Sequence, residues 1–572
     1  MTHHDGNWGI LSSQQDEDQA RSQAVSSPAD YHAGIAAREL HWFDASQSQW
    51  VSKDSSGNWT GWDSTTAANT EANADWAPWS AALDSSAAPF YRWFVDGQTN
   101  ACFNLLDRHV LSGRGAKQAL VFEGDRWDPS KNDGRGGPVF EQRLSYRELL
   151  IEVALRARAL KKLGLATGDR IALNLPNILE QIFYILAAQR LGVIYTPVFG
   201  GFSAKTLSDR IHDAGAKVVI TADGGYRNAE VVSYKSTYAD PALDNYVPRP
   251  AALKALSETL HSRLPTDVAE RLETQVADAV SGEITLERAD VMRELGLALE
   301  RERGTAPEII AELRTTVASE LANVGHAVSN VIVVRYTGND IVEHSRDSWS
   351  HDLVAEVEAD MLADAGVADR DALNALDDGA FWKAIGSTIP AVPVEANWPL
   401  FIIYTSGSTG KPKGVVHTHG GWLSGITHTM RTVFNGNQDD CLYVIGDPGW
   451  ITGQSYLIAA PLAFGMSTVI AEGSPLFPHA GRFASIIERN QVTLFKAGST
   501  FLKAVMTDPA STQEMSRYDM STLKVGTFCA EPVSPAVQKF AMRISALITL
   551  TPTGRPSTAA SSSPVLGVAL SR

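Results

Sequence analysis

The stretch Leu400-Phe-Ile-Ile-Tyr-Thr-Ser-Gly-Ser-Thr-Gly-Lys-Pro-Lys-Gly-Val-Val-His417 joins an apolar run to a turn rich in glycine, hydroxyl residues and lysine. The apolar part, Leu400–Tyr404, predicts a buried strand. Small residues in Thr405–Gly410 let backbone N–H groups approach a ligand, and Lys411 and Lys413 add positive charge. This combination predicts a loop that holds a polyphosphate. The spacing differs from that of a Walker A loop, and a flexible Gly/Ser linker is the alternative.

Outward from this stretch, apolar runs of strand length alternate with amphipathic runs of helix length. Helices are predicted over Ser145–Leu163, where Ser145 and Glu148 form a capping box, and over Glu180–Leu191 and Ser203–Ala214. The predicted strands are Arg170–Leu175, Val193–Pro197, Lys217–Ala222, Asn330–Tyr336, Leu400–Tyr404, Cys441–Ile445, Thr468–Ala471, Thr493–Lys496 and Leu523–Thr527. The alternation predicts an α/β fold with parallel-rich sheets flanked by helices.

Composition divides the chain into five parts. Residues 1–85 are polar with scattered tryptophans, which predicts loops tethered to a core by aromatic rings. We expect α/β subdomains at 86–235 and 329–545, the second carrying the phosphate loop. Residues 236–328 are charged and predict a helical insertion with helices over Ala251–Leu264, Asp267–Val280 and Thr285–Arg303. Its expected role is a solvated appendage or an oligomer contact. Residues 546–572 form a tail rich in Thr, Ser, Pro and Ala.

Charge and composition limit the partners. The chain has 572 residues, of which 44% are hydrophobic and 20% charged, and its formal net charge is −16. An acidic chain does not predict nucleic-acid binding, which requires lysine and arginine to displace counterions. No apolar run reaches the length of a membrane span. The three cysteines Cys102, Cys441 and Cys529 are far apart, which indicates a reducing compartment and predicts a cytoplasmic protein.

The run Tyr404–Gly414 resembles the phosphate loop of the adenylate-forming superfamily, which activates a carboxylate with ATP as an acyl-adenylate and passes the acyl group to a thiol. Five further segments are similar to acetyl-CoA synthetase-like enzymes: Phe90–Asn100, Val198–Ser203, Asp223–Arg227, Asp447–Tyr456 and Ala530–Pro532. The resemblance implies the large N-terminal domain of an adenylate-forming enzyme, with the C-terminal domain missing. It also implies ATP, Mg²⁺ and coenzyme A as ligands, and a small carboxylic acid as substrate.

The resemblance assigns roles to individual residues. Lys413 and Glu531 are the expected catalytic residues, with Mg²⁺ bridging the phosphates and no protein ligand assigned to it. The ATP site would comprise Thr405, Ser406, Gly407, Ser408, Thr409, Gly410, Lys411, Lys413, Ala530, Glu531 and Pro532. The acyl pocket would be bordered by Trp450, Ile451 and Thr452, and coenzyme A would contact Gly200, Gly201, Arg227 and Thr452. A core tryptophan, a surface salt bridge and a structural carboxylate remain the alternatives for Trp450, Arg227 and Glu531.

The chain departs from the family pattern next to two of these residues. After Arg227 the family tends to have Gly-Gly and a basic residue, whereas this chain has Asn228, Ala229 and Glu230. Leu476 stands where the family has an asparagine that contacts coenzyme A. The helical insertion and the run Phe528-Cys-Ala-Glu-Pro-Val-Ser-Pro535 most resemble the synthetase part of propionyl-CoA synthase, a larger enzyme type that activates 3-hydroxypropionate. That resemblance predicts downstream hydratase and reductase domains in the intact gene.

After about Ile544 the resemblance to the family ends. It resumes when the codons are read in a frame shifted by one base. Codons for Pro552-Thr553-Gly554-Arg555-Pro556-Ser557, read one base out of phase, permit the run Y-W-A-T-E, which is the next motif of the family. We therefore predict a frameshift near Ser545, in the gene or in its sequencing. The chain as written would then lack the hinge and the adenylation lysine, and its activity would be impaired.

Three functions are open at this stage. The first is an AMP-forming acyl-CoA synthetase for acetate, propionate or 3-hydroxypropionate. The second is an adenylating ligase with another thiol acceptor, and the third is a non-catalytic remnant that binds nucleotide or a partner. Pyrophosphate release and its dependence on free coenzyme A separate them.

Overall fold

The computed structural model describes residues 13–54, 58–63, 69–71, 76–302, 306–405, 412–529, 534–547 and 569–571. Its centre consists of two sheets of seven strands each. We call them the first and the second sheet.

In the first sheet, five neighbouring strands are parallel and an antiparallel strand closes each edge. In spatial order the strands are Glu141–Ser145, Gln118–Glu123, Ser467–Ala471, Cys441–Val444, Leu494–Gly498, Val525–Cys529 and Ala569–Ser571. The parallel strands consist largely of buried Val, Leu, Ile and Phe, as is typical of strands covered on both faces.

The second sheet contains six parallel strands and one antiparallel edge strand. In spatial order these are Asp347–Trp349, Asn330–Val334, Val218–Ala222, Arg170–Asn174, Ile194–Pro197, Pro399–Thr405 and Lys413–Thr418. The last two form a hairpin in which Thr405 pairs with Lys413. The predicted phosphate loop is therefore the connection of an edge hairpin.

One hydrophobic core joins the two sheets through the helices Tyr146–Lys162 and Leu179–Leu191. Almost every residue of Leu179–Leu191 is buried, so this helix presents no polar face to solvent. The capping box predicted for the first helix is present, because Glu148 N–H donates to the Ser145 hydroxyl and the Glu148 carboxylate accepts from Ser145 N–H. Both α/β halves thus share a single core, and the α/β prediction with parallel-rich sheets is confirmed.

The prediction that residues 1–85 form loops was wrong. Helices cover Gln14–Ser26 and Pro28–Glu39, followed by a four-stranded antiparallel sheet of Trp42–Asp44, Gln49–Lys53, Trp59–Asp63 and Asn69–Glu71. Trp42 and Trp50 are buried in the main core, and the Trp50 ring stacks on Phe103 with centroids 3.8 Å apart. The tryptophans do anchor the segment, but they do so from regular strands. Short strands in polar sequence lack the apolar alternation that would have indicated them.

Between the strands Val218–Ala222 and Asn330–Val334, which are neighbours in the second sheet, the chain forms a helical unit with its own core. Its helices are Asp240–Asp244, Arg249–Arg263, Thr266–Ala279, Arg288–Arg301 and Pro307–Asn323. Residues 285–287, predicted as the start of a helix, instead form a strand that pairs with Tyr246–Pro248. Pairing with a strand distant in sequence is a tertiary effect that local helix propensity does not indicate.

The other helices and strand pairs of the described residues surround or connect the elements above. The other α-helices are Lys131–Gly134, Ala204–Ala214, Ser350–Asp364, Arg370–Asn374, Asp378–Thr388, His419–Thr432, Ala460–Ala463, Arg482–Arg489, Ser499–Thr507, Ser511–Met515 and Pro535–Leu547. The π-helices are Phe103–Asp107, Val110–Arg114, Lys235–Ala239 and Gly453–Ala459. Two-stranded pairs join Ala81–Asp84 with Arg92–Val95, Gln98–Thr99 with Val394–Glu395, Trp127–Asp128 with Gly137–Pro138, and Gly225–Arg227 with Glu230–Val232. In the described part of the chain, no helix is both long and apolar enough to cross a lipid bilayer.

Candidate functional site

A cavity of about 360 Å³ lies where strands of both sheets end. Its lining residues follow the carboxyl ends of four strands: Pro176 and Asn177, Phe199 to Gly201, Ile445 to Asp447, and Glu472 to Pro475. The carboxyl ends of parallel strands are where α/β sheets bind ligands. The fold therefore places the cavity at the position expected for a binding site.

The cavity brings together three residues predicted for coenzyme A. Gly200, Gly201 and Arg227 all line it. Gly200 leaves room for the Tyr234 hydroxyl, which would collide with a Cβ at that position. Thr452 was also predicted to contact coenzyme A, but the cavity lining formed by the described residues does not include it.

Arg227 lies on a tight hairpin, Gly225–Arg227 with Glu230–Val232, and its side chain is exposed. The two turn residues, Asn228 and Ala229, have φ of 55° and 65°. Both values lie in the left-handed region that favours glycine, which explains a family preference for Gly-Gly here. Asn228 fits that conformation, whereas Ala229 adopts it at a cost of about 1–2 kcal/mol.

Two buried carboxylates hold this hairpin in place. Glu472, which is 1% exposed, accepts hydrogen bonds from Tyr226 N–H at 2.7 Å, from the Tyr336 hydroxyl at 2.7 Å and from Asp125 N–H at 3.2 Å. The fully buried Asp125 accepts from Ala229 N–H at 2.7 Å. Burial raises the pKa of Glu472, and these donors lower it in part. The network fixes the position of Arg227 against the cavity.

Arg126 is a site residue that the sequence analysis missed. Its guanidinium carbon lies 4.5 Å from the ring centroid of Tyr226, and its side chain is exposed. Tyr226 is the neighbour of Arg227 and lines the cavity, so Arg126 lies beside the cavity without being part of its lining. Residue 230 is a glutamate, so this hairpin lacks the basic residue that the family tends to have there. The position of Arg126 could not be predicted from a local motif, because its contact with Tyr226 joins residues 100 positions apart.

Asp447 lines the cavity and was not assigned a role from the sequence. Its Oδ1 accepts a 2.6 Å hydrogen bond from Gly449 N–H, and burial raises its pKa from 3.8 to about 6. Gly449 packs against the backbone of Phe199, where a Cβ would collide with the Phe199 N and Cα atoms. The glycine thus permits the close approach of two loops that line the cavity.

The predicted acyl segment lies beside the cavity. The Trp450 ring packs 5.9 Å from Phe199 and 5.7 Å from Phe202 between centroids, yet its side chain is 47% exposed. Ile451 is also exposed, whereas Thr452 is half-buried with Oγ1 4.0 Å from Cys529 Sγ. Cys529 directly precedes Ala530, so Thr452 lies against the end of the strand that leads into the predicted adenine segment.

The predicted phosphate loop lies only partly within the described residues. Thr405 and Lys413 are described, and both are exposed at the mouth of their hairpin. The other predicted ATP residues, Ser406, Gly407, Ser408, Thr409, Gly410, Lys411, Ala530, Glu531 and Pro532, lie outside the described residues. The side chain of Lys413 is exposed and is not buried in the core. Leu476, in place of the family asparagine, packs against the hydrophobic cluster behind the first sheet.

One group of the described residues brings metal-ligating atoms within 4.8 Å of one another: Asp240, Asp244 and His344. Arg346 Nη1 lies 2.6 Å from Asp244, and Lys235 Nζ lies 2.9 Å from Asp240. These two cations already neutralise the carboxylates, so the group does not fit a divalent ion. No other group of the described residues brings three such atoms this close together.

The chain belongs to the AMP-binding enzyme family, whose model matches residues 115–303 and 315–550. A second model, "Acetyl-coenzyme A synthetase N-terminus", matches residues 67–105 and covers the whole of the segment Phe90–Asn100. The family match passes through most of the helical insertion and omits only residues 304–314 of it.

Similar curated proteins carry the name acetyl-coenzyme A synthetase. The protein from Methylobacillus flagellatus is 35% identical over 459 residues, which is 80% of this chain and 52% of that protein. The protein from Thiobacillus denitrificans is 33% identical over 81% of this chain and 52% of its own length. The protein from Cupriavidus metallidurans is 32% identical, with 80% and 52% covered. The chain spans about half the length of the curated relatives it matches.

Proposed function

We propose that this chain binds ATP and coenzyme A as part of an AMP-forming acyl-CoA synthetase, an acid–thiol ligase. The substrate would be a short carboxylic acid: acetate, propionate or 3-hydroxypropionate. The observation that carries the proposal is the convergence of Gly200, Gly201 and Arg227 on one cavity at the carboxyl edge of the strands. The family match and the acetyl-coenzyme A synthetase relatives support the same reaction.

The second sheet supports the ATP assignment. Strand Pro399–Thr405 runs parallel to Ile194–Pro197, so Thr405 and Gly200 both follow strand ends at the same edge of one sheet. A nucleotide at the hairpin loop and a thiol ligand in the cavity would therefore approach the same edge. Lys413 would offset phosphate charge, and Mg²⁺ would bridge the phosphates. Because the acid attacks the α-phosphorus, catalysis would consist mainly of positioning and charge stabilisation.

The cavity supports coenzyme A as the thiol ligand. The exposed guanidinium groups of Arg227 and Arg126 are suited to phosphates, which arginine binds with two parallel hydrogen bonds. A volume of about 360 Å³ accommodates part of a cofactor-sized ligand, with the remainder at the surface. Gly200 and Gly201 let the side chains of Tyr234 and Phe199 lie close to the backbone of this loop, and all four residues line the cavity.

Pyrophosphate release tests the proposal. The purified chain is assayed with ATP, Mg²⁺ and each of the three acids, with and without free coenzyme A. We expect acid-dependent release that continues only when coenzyme A is present, at the reduced rate that the predicted frameshift near Ser545 implies. Adenylation without any response to coenzyme A favours a ligase with another thiol acceptor. Calorimetric binding of ATP without acid-dependent release favours the non-catalytic alternative.

Arg227→Ala provides the matched test of the coenzyme A site. We expect weaker coenzyme A binding by about tenfold and unchanged ATP binding, because the arginine lines only the cavity. Arg293→Ala, which removes an exposed arginine in the helical unit, is the control. The frameshift near Ser545 and the fused hydratase and reductase domains remain predictions, and the DNA sequence across codons 540–550 and downstream tests both.

A further inference from the structure

A buried lysine lies behind the predicted acyl segment. Lys496, on strand Leu494–Gly498, is 2% exposed. Its Nζ lies 4.6 Å from the ring centroid of Tyr456 and 5.6 Å from that of Phe434. A buried lysine normally pairs with a carboxylate, because transfer of an unpaired ammonium out of water is costly.

Apart from burial, Cys529 is the group of the described residues that acts on the pKa of Lys496, through a side-chain hydrogen bond and its charge, and no carboxylate of those residues does. A cysteine sulfur is a weak acceptor, and an aromatic face satisfies a positive charge only in part. Burial lowers the pKa of Lys496. The nitrogen keeps N–H donors in either protonation state, so it can bind an oxygen acceptor whether or not it is charged.

The lysine belongs to the same edge of the first sheet as the predicted acyl site. Its strand runs parallel to Val525–Cys529, with Gly498 opposite Cys529. Cys529 is half-buried, and its Sγ lies 4.0 Å from Thr452 Oγ1. Lys496, Cys529 and Thr452 thus form a continuous polar line from the interior to the predicted acyl segment.

We infer that Lys496 is a specificity residue, whose N–H donors bind an oxygen on the distal carbon of the acyl group. The inference rests on the proposed function and deepens it: the preferred acid would be a short hydroxy acid rather than a plain alkanoic acid. A hydroxyl oxygen at the end of the chain supplies the acceptor that the described protein groups do not. An acyl chain that ends in a methyl group would leave the nitrogen unpaired beside an apolar atom.

Two acyl-adenylate mimics of equal size test the inference without turnover. The 3-hydroxypropionyl and butyryl sulfamoyl-adenosines differ only in a hydroxyl against a methyl group. Calorimetry on the whole 572-residue chain should give 3-hydroxypropionyl binding about ten- to a hundredfold tighter, as expected when the competing ligand leaves a buried polar group unpaired. In Lys496→Met the two dissociation constants should agree within about threefold.

Lys496→Gln keeps an N–H donor and should retain part of the preference, which a purely structural role would not predict. Lys254→Met, at an exposed lysine of the helical unit, should keep the wild-type ratio. Thermal unfolding shows that each variant is folded, and we expect Lys496→Met to be no less stable than the parent. Equal binding of the two mimics to the unaltered chain overturns this inference alone. Failure of both mimics to bind overturns the proposed function and this inference together.

Discussion

The backbone N–H of Tyr226 donates a 2.7 Å hydrogen bond to Glu472 Oε1, across 246 positions of sequence. Glu472 follows a strand of the first sheet, whereas Tyr226 belongs to a hairpin that follows a strand of the second. This bond ties the arginine-bearing hairpin to the opposite wall of the cavity. The geometry of the cavity mouth therefore depends on a carboxylate that was not among the residues predicted to bind a ligand.

Glu472→Gln should lower the free energy of unfolding by about 1–3 kcal/mol, because the carboxylate accepts on both oxygens, whereas the new amide has only one acceptor oxygen for Tyr226, Tyr336 and Asp125. Coenzyme A binding should weaken as the hairpin loosens. Urea unfolding and calorimetry measure the two effects. Glu356→Gln, at an exposed position, is the control and should change neither. Retention of full stability and affinity by Glu472→Gln would show that the network does not position the hairpin.

Asp447→Asn should change stability in a pH-dependent way. The pKa of Asp447 is raised by burial to about 6, above its ordinary 3.8, so the folded chain holds this proton more tightly than the unfolded chain. Below about pH 4 both states are protonated and the variant should match the parent. As pH rises from about 4 to 6 the parent loses stability that the variant keeps.

The difference at pH 7.5 should reach at most roughly 3 kcal/mol, because Asp447 retains some contact with solvent at the cavity. In the Asp447→Asn variant, the amide oxygen of the new side chain would still accept from Gly449 N–H. Urea unfolding at pH 4.5 and pH 7.5 measures the difference, and a gain that is the same at both values contradicts the assigned pKa.

Ala229→Gly should stabilise the chain by about 1 kcal/mol, since φ is +65° at this residue and glycine adopts that value without steric cost. Asn228→Gly is the matched control, because asparagine already tolerates the left-handed region and should gain less. Thermal unfolding compares the two. A larger gain at residue 228 than at residue 229 is the result that would refute this account.

Gly449→Ala should destabilise the chain by more than about 2 kcal/mol, because its Cβ would collide with the backbone of Phe199. Gly425→Ala is the control: nothing lies within 4 Å of its Cβ position, and it lies in helix His419–Thr432. Alanine is the better helix former, so Gly425→Ala should be neutral or stabilising. Chemical unfolding of both variants tests the close approach of the two loops.

Lys413→Met should weaken ATP binding by about tenfold while changing the free energy of unfolding by less than about 0.5 kcal/mol, because the side chain is exposed. Lys383→Met, at another exposed lysine, should leave the affinity for ATP unchanged. Calorimetric titration with ATP and Mg²⁺ is the measurement. Unaltered affinity in Lys413→Met would remove this lysine from the phosphate site.

Much of the fold was predictable because its elements carry local signals. The predicted strands end within about two residues of the observed ones, as Lys217–Ala222 against Val218–Ala222 illustrates. Apolar strand length, helix capping by Ser145 and glycine at turns are properties of neighbouring residues. The N-terminal strands were missed because polar sequence with single tryptophans has neither the period of a strand nor that of a helix.

The sequence by itself determined the parallel-rich α/β fold, the family and the candidate segments. Each of these depends on patterns of neighbouring residues, and the spacing within those patterns reflects the geometry of a helix or a strand. Only the tertiary structure decided that Glu472, Asp125 and Arg126 support the hairpin of Arg227, and that Lys496 lies buried beside Cys529. These contacts join strand ends from distant parts of the chain. The packing of the two sheets decides which of these residues meet, and no local pattern of residues predicts that packing.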